Sequence, residues 1–297
     1  MVAGRAAGAY PGPVMPSSAA AVEARILANP DDASAWQAYV PWLRVQDDPR
    51  AEWIALAAYA ETPLEREWLT AQLAREHPRW TPSAVWTDDC VFRHGFAIAA
   101  TIRIGNRSDA RGVARLLDDR RARLLRELRL VFHDTAPARG LDVLEEASFA
   151  RLRVLRAAYH GRGNRVLRAL ARQPALNLEV LDLRHAGVTD EGLAWLADCT
   201  ALFGVRALHL QHNRFTGRGV AALAASPVLT GVEELDLRHN AIGEAGAAAL
   251  SASPHLGAVT ALRLHAGEIE AAGVRALASS TTLPRDLVRL WRAQTRP

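Results

Sequence analysis

Four hexapeptides at one constant spacing decide the fold of this 297-residue chain: LEVLDL (178–183), VRALHL (205–210), VEELDL (232–237) and VTALRL (259–264). Each has the pattern apolar-x-x-Leu-x-Leu, and corresponding leucines of successive copies lie 27 residues apart. Alternation of apolar and polar residues is typical of a strand that is buried on one side. A fixed period of this length indicates stacked repeat units rather than one compact core.

Imperfect copies extend the array in both directions. LRELRL (125–130) and LRVLRA (152–157) precede the four hexapeptides, and LVRLWR (287–292) follows them. The sequence therefore predicts seven strands. Arg292 stands where a core leucine belongs, so we expect the stack to end there, with Trp291 covering its edge.

The second half of each unit also repeats. An apolar residue is followed four residues later by a glycine, at Gly192, Gly219, Gly246 and Gly273, and then by an Ala- and Leu-rich run. These runs predict helices, so each unit is a strand, a turn and a helix. No single unit can bury its apolar stripe, and stacking the units places their strands in a parallel sheet about 4.8 Å apart.

The unit resembles the long, helix-bearing leucine-rich repeats of the ribonuclease-inhibitor type, whose strand ends with an asparagine. Asn213 and Asn240 occupy that place, where an amide side chain can satisfy backbone groups of the turn. The resemblance implies an α/β fold: a leucine-rich-repeat solenoid with a curved parallel sheet inside and helices outside. It also implies that the concave face of the sheet binds a protein partner.

The segment before the repeats has a different pattern. Residues 22–57 resemble the repeat-companion domain, a small module that bacterial proteins carry ahead of repeat arrays. The sequence predicts three helices there: one up to Ala28, one opened by capping residues in the turn at residues 30–32, and one begun at Asp48 and Pro49. Pro41 should kink the second helix or end it early.

A fourth helix, at residues 63–77, and an apolar strand, at 96–104, complete the region before the repeats. We therefore divide the chain into four parts. They are a flexible tail (1–20), a helical repeat-companion-like domain (21–90), a connector and N-terminal cap of the solenoid (91–123), and the solenoid itself (124–297).

Composition excludes several kinds of catalysis. All 36 basic residues are arginine, so a phosphate-loop lysine and a Schiff-base lysine are impossible. The two cysteines are too few for a disulfide framework or a thiolate zinc site, and neither GxSxG nor HExxH occurs. We therefore expect a non-catalytic, cofactor-free scaffold or adaptor, and, without an apolar run of membrane-spanning length, a cytoplasmic location.

The predicted partner-binding residues project from the strands on the side opposite the leucine core. Two rows of polar side chains follow from the repeat: Arg129, Arg156, Asp182, His209, Asp236 and Arg263, then Arg184, Gln211, Arg238 and His265. A further column comprises Phe132, Tyr159, His185, His212 and His239. Aromatic residues of this column, with Trp291 at the far end, are the expected anchors for a docked protein.

Two other functions stay open at this point. The histidines of the column could share a metal ion with Asp182, His209 and Asp236, although duplication of a repeat stacks histidines without any metal. The segment from Arg103 to Arg129 contains nine arginines and only four carboxylates. Such a basic segment could bind nucleic acid or an anionic surface. A solvated helix face is the simpler interpretation of that segment.

Overall fold

A computed structural model describes residues 18–85, 89–133, 144–145, 147–159 and 161–295. Residues 1–17 of the expected flexible tail therefore lie outside the described residues. The chain divides into two compact units, Met1–Leu73 and Ala74–Pro297.

The first unit is helical, as predicted. Its helices are α1 (Ala19–Ala28), α2 (Ala33–Val45), α3 (Arg50–Tyr59) and the first part of α4 (Pro63–Trp80). The Asp32 carboxylate caps α2 by accepting the Ala35 N–H at 3.0 Å. Trp36, Tyr39 and Ile54 are almost fully buried between the helices. Of the two effects expected of Pro41, a kink or an early end, the early end is excluded because α2 runs on to Val45.

One eight-stranded sheet organises the second unit. Its strands, in chain and spatial order, are β1 (Cys90–Arg93), β2 (Phe96–Ile104), β3 (Glu127–Phe132), β4 (Val154–Arg156), β5 (Val180–Asp182), β6 (Ala207–His209), β7 (Glu234–Asp236) and β8 (Ala261–Arg263). β1 is antiparallel to β2, and every later pair is parallel. The apolar strand predicted before the repeats is β2, which pairs with the first repeat strand and extends the sheet beyond it.

Helices follow the strands and cover one side of the sheet. They are α5 (Arg107–Asp118), α6 (Gly163–Ala171), α7 (Asp190–Asp198), α8 (Gly217–Ala224), α9 (Gly243–Ser251), α10 (Ala266–Ala278) and α11 (Arg285–Gln294). From α6 to α10 each helix packs against the next. Strand leucines and helix side chains form a single core, in which Leu181, Leu208 and Leu235 are 0 % exposed. The predicted repeat architecture is thereby confirmed.

Glycines allow neighbouring helices to approach closely. A Cβ on Gly217 would lie 2.5 Å from the Ile242 carbonyl oxygen, which is backbone and cannot swing away. A Cβ on Gly246, one of the recurring glycines, would lie 3.0 Å from the Gly217 Cα. The spacing between repeats is therefore set by contacts that exclude even a methyl group.

The asparagines at the strand ends bind the turns of adjacent repeats, as the resemblance implies. The Asn213 Oδ1 accepts the N–H groups of Ala186 (3.1 Å) and Val188 (2.9 Å). Its Nδ2 donates to the carbonyls of Leu183 (2.9 Å) and Leu210 (2.8 Å). Asn240 continues the ladder, because its Oδ1 accepts the Asn213 N–H at 2.9 Å.

The last predicted strand is wrong. LVRLWR lies inside α11, where Leu287, Val288 and Trp291 point into the core and Leu290 is 54 % exposed. Leu287 and Leu290 fit the repeat pattern, but Leu287, Val288 and Trp291, at i, i+1 and i+4, fit one helix face, and here helical packing prevails. Trp291 does cover the end of the core, but at 1 % exposure it is not an anchor for a partner.

Candidate functional site

The strand register aligns polar side chains on the inner face, which we define as the side of the sheet opposite the helices. Backbone pairing joins Arg129, Arg156, Asp182, His209, Asp236 and Arg263, each to the next. These residues alternate with the buried leucines of the same strands, so they lie on the inner face. The predicted first row is therefore continuous in space.

Two carboxylates of this row are buried beneath arginines of the second row. Asp182 and Asp236 are 2 % and 1 % exposed. The Arg184 guanidinium donates to both oxygens of Asp182, the shorter bond being 2.6 Å, and Arg238 binds Asp236 in the same way. Both aspartates were predicted to contact a partner, but they instead hold two arginines in fixed positions.

The protonation of these aspartates follows from the same contacts. Burial alone would raise the pKa of the Asp182 carboxyl, but hydrogen bonds from the Arg184 side chain and backbone N–H outweigh it and lower the pKa. The pKa of the Asp236 carboxyl, which burial alone would raise, is lowered in the same manner by hydrogen bonds from Arg238. Both carboxylates are consequently ionised at neutral pH, and both pairs persist there.

A cleft of about 280 Å³ opens on the inner face at β3 to β5. Its wall carries Arg129, Val131, Arg156, Tyr159 and Arg184 among others. Arg156 bonds to the Glu127 carboxylate at 2.6 Å, whereas no described carboxylate pairs with Arg129. Asp182 also lines the cleft and pairs with Arg184. The cleft thus places Arg129 beside an aromatic and an aliphatic side chain.

A stack of rings, here called the aromatic column, runs beside this cleft. It comprises Tyr159, His185, His212 and His239, whose successive ring centroids lie 4.8, 4.0 and 3.8 Å apart in nearly parallel planes. All four residues have φ between 52° and 61°. Each is the point at which the chain leaves its strand in a left-handed conformation, so the repeat aligns them. The pKa of His212 is lowered by desolvation and then by its two imidazole neighbours.

Phe132 does not belong to the aromatic column, contrary to the prediction. It is 7 % exposed and packs with the core side chains. The reason is the length of β3, which runs for six residues instead of three, so its alternation continues and turns Phe132 inward. At the other end, His265 meets His239 edge to face at 4.5 Å, which extends the aromatic surface beyond the column.

The structure does not bring together the metal ligands that the sequence left open as an alternative. Imidazole lone pairs lie in the ring plane, so parallel rings of the aromatic column do not direct them at one shared ion. Asp182 and Asp236 are bound to arginines. In the described part of the chain, a different group, His239, His265 and Glu268, places one ligand atom of each residue within 4.8 Å of the others. Glu268 was missed because it has no counterpart in the repeat.

The basic segment, residues 103–129, is divided among several environments. Arg103 pairs with Asp89, Arg121 with Asp119 at 2.9 Å and Arg126 with Glu179 at 3.0 Å. Arg107, Arg111 and Arg115 follow the exposed side of α5, whose other side is buried. Arg129 lies on the inner face, on the side of the sheet opposite the helices, so the nine arginines do not form one surface.

Neither cysteine is activated for chemistry. Cys199 is 3 % exposed, and its Sγ lies 3.6 Å from the Leu170 carbonyl oxygen. Burial, with a smaller contribution from Asp89, raises the pKa of the Cys90 thiol to about 11. Both thiols are consequently protonated near neutral pH.

An apolar surface in the first unit was not anticipated. Leu56, Tyr59, Leu64 and Trp68 are 51 to 77 % exposed and line a shallow cleft between α3 and α4. Exposed apolar clusters commonly mark contact surfaces. The signal in the sequence was weak, because these residues are spread over two helices with no shared period.

Comparison with known proteins agrees with the repeats in the structure. Residues 176–197, 205–224 and 230–251 match the family model of the leucine-rich repeat. The three segments coincide with β5 and α7, β6 and α8, and β7 and α9. No curated protein matches the chain. Within the described residues, no helix is long and apolar enough to cross a membrane.

Proposed function

We propose that this chain, whose second unit is built from leucine-rich repeats, is a non-catalytic adaptor that binds a protein partner through its inner face. Leucine-rich repeats generally mediate protein–protein contacts and are typically non-catalytic. The observation that carries the proposal is the aromatic column beside two arginines, Arg184 and Arg238, that buried aspartates hold in place.

Fixed arginines favour binding for an energetic reason. An arginine that is mobile in solution loses rotamer freedom when a partner orders it, at about 0.5–1.5 kcal/mol per side chain. Arg184 and Arg238 are already ordered by three and two side-chain hydrogen bonds to aspartates, respectively. Part of that loss therefore occurs on folding and does not weaken binding.

The cleft at β3 to β5 indicates the chemistry of the partner. Arg129 has no described carboxylate partner, and Tyr159 is 68 % exposed beside it. Arginine forms short, paired hydrogen bonds with carboxylates. Arginine and tyrosine are both enriched at interface hot spots. An acidic segment of the partner, with an apolar side chain near Val131, fits this surface.

Three finer assignments accompany the proposal. Each complete repeat from β5 to β8 joins a three-residue strand to a helix of eight or more residues, which supports the ribonuclease-inhibitor-like subtype. Helices α1 to α3 support a repeat-companion-like domain, and the predicted boundaries at 20, 90 and 123 are retained with it. The cytoplasm is the proposed location.

The test compares two substituted proteins against one purified partner, identified first by co-purification from the native cell. Arg129→Glu with Tyr159→Asn changes the exposed cleft, and asparagine suits the left-handed backbone at Tyr159. Arg275→Glu, on the exposed side of α10, is the matched control. We expect the double variant to weaken binding at least about tenfold and the control to bind normally. Equal affinity of all three proteins would exclude the inner face.

A further inference from the structure

The last repeat departs from the pattern of its predecessors near His239. In the preceding repeat the chain continues as Arg238-His239-Asn240, but here His265 is followed by a helical turn, because α10 begins at Ala266. That turn ends at Glu270, whose backbone is non-helical (φ 58°, ψ 175°). The extra turn brings Glu268 back to His239.

One oxygen of Glu268 has a structural role. The N–H groups of Tyr159, His185 and His212 each donate to a backbone carbonyl of the next repeat. His239 has no such carbonyl in the last repeat, and its N–H donates to the Glu268 Oε1 at 2.7 Å instead. Oε1 thus closes the hydrogen-bond ladder.

The second oxygen is not explained by the ladder. The Glu268 Oε2 is buried and has no hydrogen-bond partner among the described residues. A buried, unsatisfied carboxylate oxygen is costly, and a cation beside it removes that cost. Arg238 interacts electrostatically with Glu268, but its guanidinium is bound to Asp236 at 2.6 Å.

Two imidazole nitrogens face each other at the same place. The Nε2 atoms of His239 and His265 are 3.2 Å apart, a distance at which one ring can donate a hydrogen bond to the other. One ligand atom from each ring and one carboxylate oxygen of Glu268 lie within 4.8 Å of one another. Zinc–nitrogen bonds of about 2.0–2.1 Å place two ligands of a tetrahedral ion about 3.3 Å apart. Unlike the parallel rings of the aromatic column, these two rings are inclined by 63°, so they meet through their nitrogen atoms and not face to face.

We propose that His239, His265 and Glu268 form a binding site for a divalent transition metal of the zinc class. Two imidazoles and one carboxylate suit Zn²⁺, and they select against Ca²⁺ and Mg²⁺, which prefer oxygen ligands. The His212 ring, stacked on His239 at 3.8 Å, fixes the plane of the first ligand. The fourth position stays open to water or to a donor from another molecule.

The experiment uses the full-length chain with any affinity tag removed and all metal stripped by a chelator. Isothermal titration calorimetry with Zn²⁺ alone should show one equivalent bound with a dissociation constant in the micromolar range. Glu268→Gln keeps the oxygen that accepts the His239 N–H but removes the charge. His265→Asn keeps a good helix-capping residue but removes the imidazole. His255→Ala, which removes a histidine bonded to Thr230, is the control.

We expect His265→Asn to weaken zinc binding at least about 100-fold and Glu268→Gln about tenfold, with His255→Ala unchanged. Circular dichroism and a thermal melt verify that each variant is folded. If His265→Asn does not fold, Glu268→Gln alone tests the site. Millimolar or weaker binding by the unsubstituted chain overturns the proposal. So does tight binding that both substitutions leave unchanged, because the ion then binds elsewhere.

Discussion

Replacing Asn213 with alanine should lower the free energy of unfolding of the second unit by about 4 kcal/mol. The side chain makes four hydrogen bonds to backbone groups, at 2.8 to 3.1 Å. The residues that own these groups, Ala186, Val188, Leu183 and Leu210, are all 0 % exposed. Each bond contributes about 1 kcal/mol net, and a buried group left without a partner costs more.

Urea denaturation followed by circular dichroism measures this change, and the matched control is Asn177→Ala. Asn177 is exposed and makes one bond, from its Nδ2 to the Ala150 carbonyl at 2.7 Å. Its loss should cost under about 1 kcal/mol, because water replaces the amide. If the two variants differ by less than about 1 kcal/mol at equal denaturant slope, the ladder does not stabilise the stack as argued.

Three further predictions concern packing, pH and backbone conformation. Gly217→Ala should destabilise the protein by about 1–3 kcal/mol, because the new Cβ would lie 2.5 Å from the Ile242 carbonyl oxygen. Gly257→Ala is the control, since a Cβ there meets open space, and it should leave stability unchanged. Urea titrations of both variants measure the two free energies of unfolding. Burial, and then the charge of Arg93, lowers the pKa of His94 in the folded protein to about 4. Between pH 6.5 and pH 4 the unfolded chain therefore binds more protons than the folded protein does. The free energy of unfolding should fall by up to about 3 kcal/mol as the pH drops over that range. His94→Asn should remove that part of the slope, and an unchanged slope would contradict the assignment. His212→Val should be about 1–2 kcal/mol less stable than His212→Asn, because a β-branched side chain is strained at φ 57°; equal melting temperatures would refute this.

The repeat period predicted most of the fold because strand, turn and helix recur with the same side chains. Asn213 and Asn240 were assigned to the right place for the right reason, since only a short amide reaches the turns on both sides. The C-terminal copy failed because Leu287 belongs to the repeat pattern, with Leu290, and also to the buried helix face, with Val288 and Trp291. A hexapeptide is too short to separate a strand from a helix face without its neighbours.

The site was less predictable than the fold, because exposure depends on contacts that the pattern does not contain. Asp182 and Arg129 occupy the same row. Arg184 covers Asp182, whereas no described carboxylate neutralises Arg129. Phe132 was misplaced because the length of β3 is not visible in the motif. Periodicity therefore gives the row in which a residue lies and leaves its availability undetermined.

The aromatic column and the proposed metal site differ in what produces them. Left-handed backbone at Tyr159, His185, His212 and His239 belongs to the turn of four successive repeats, and histidine is among the residues that accept it. Their stacking consequently follows from the repeat itself and needs no ligand. Glu268 lies where the repeat is broken, and one of its oxygens has no role in closing the stack. A feature that the repeat does not require is better evidence of a binding role than one that it imposes.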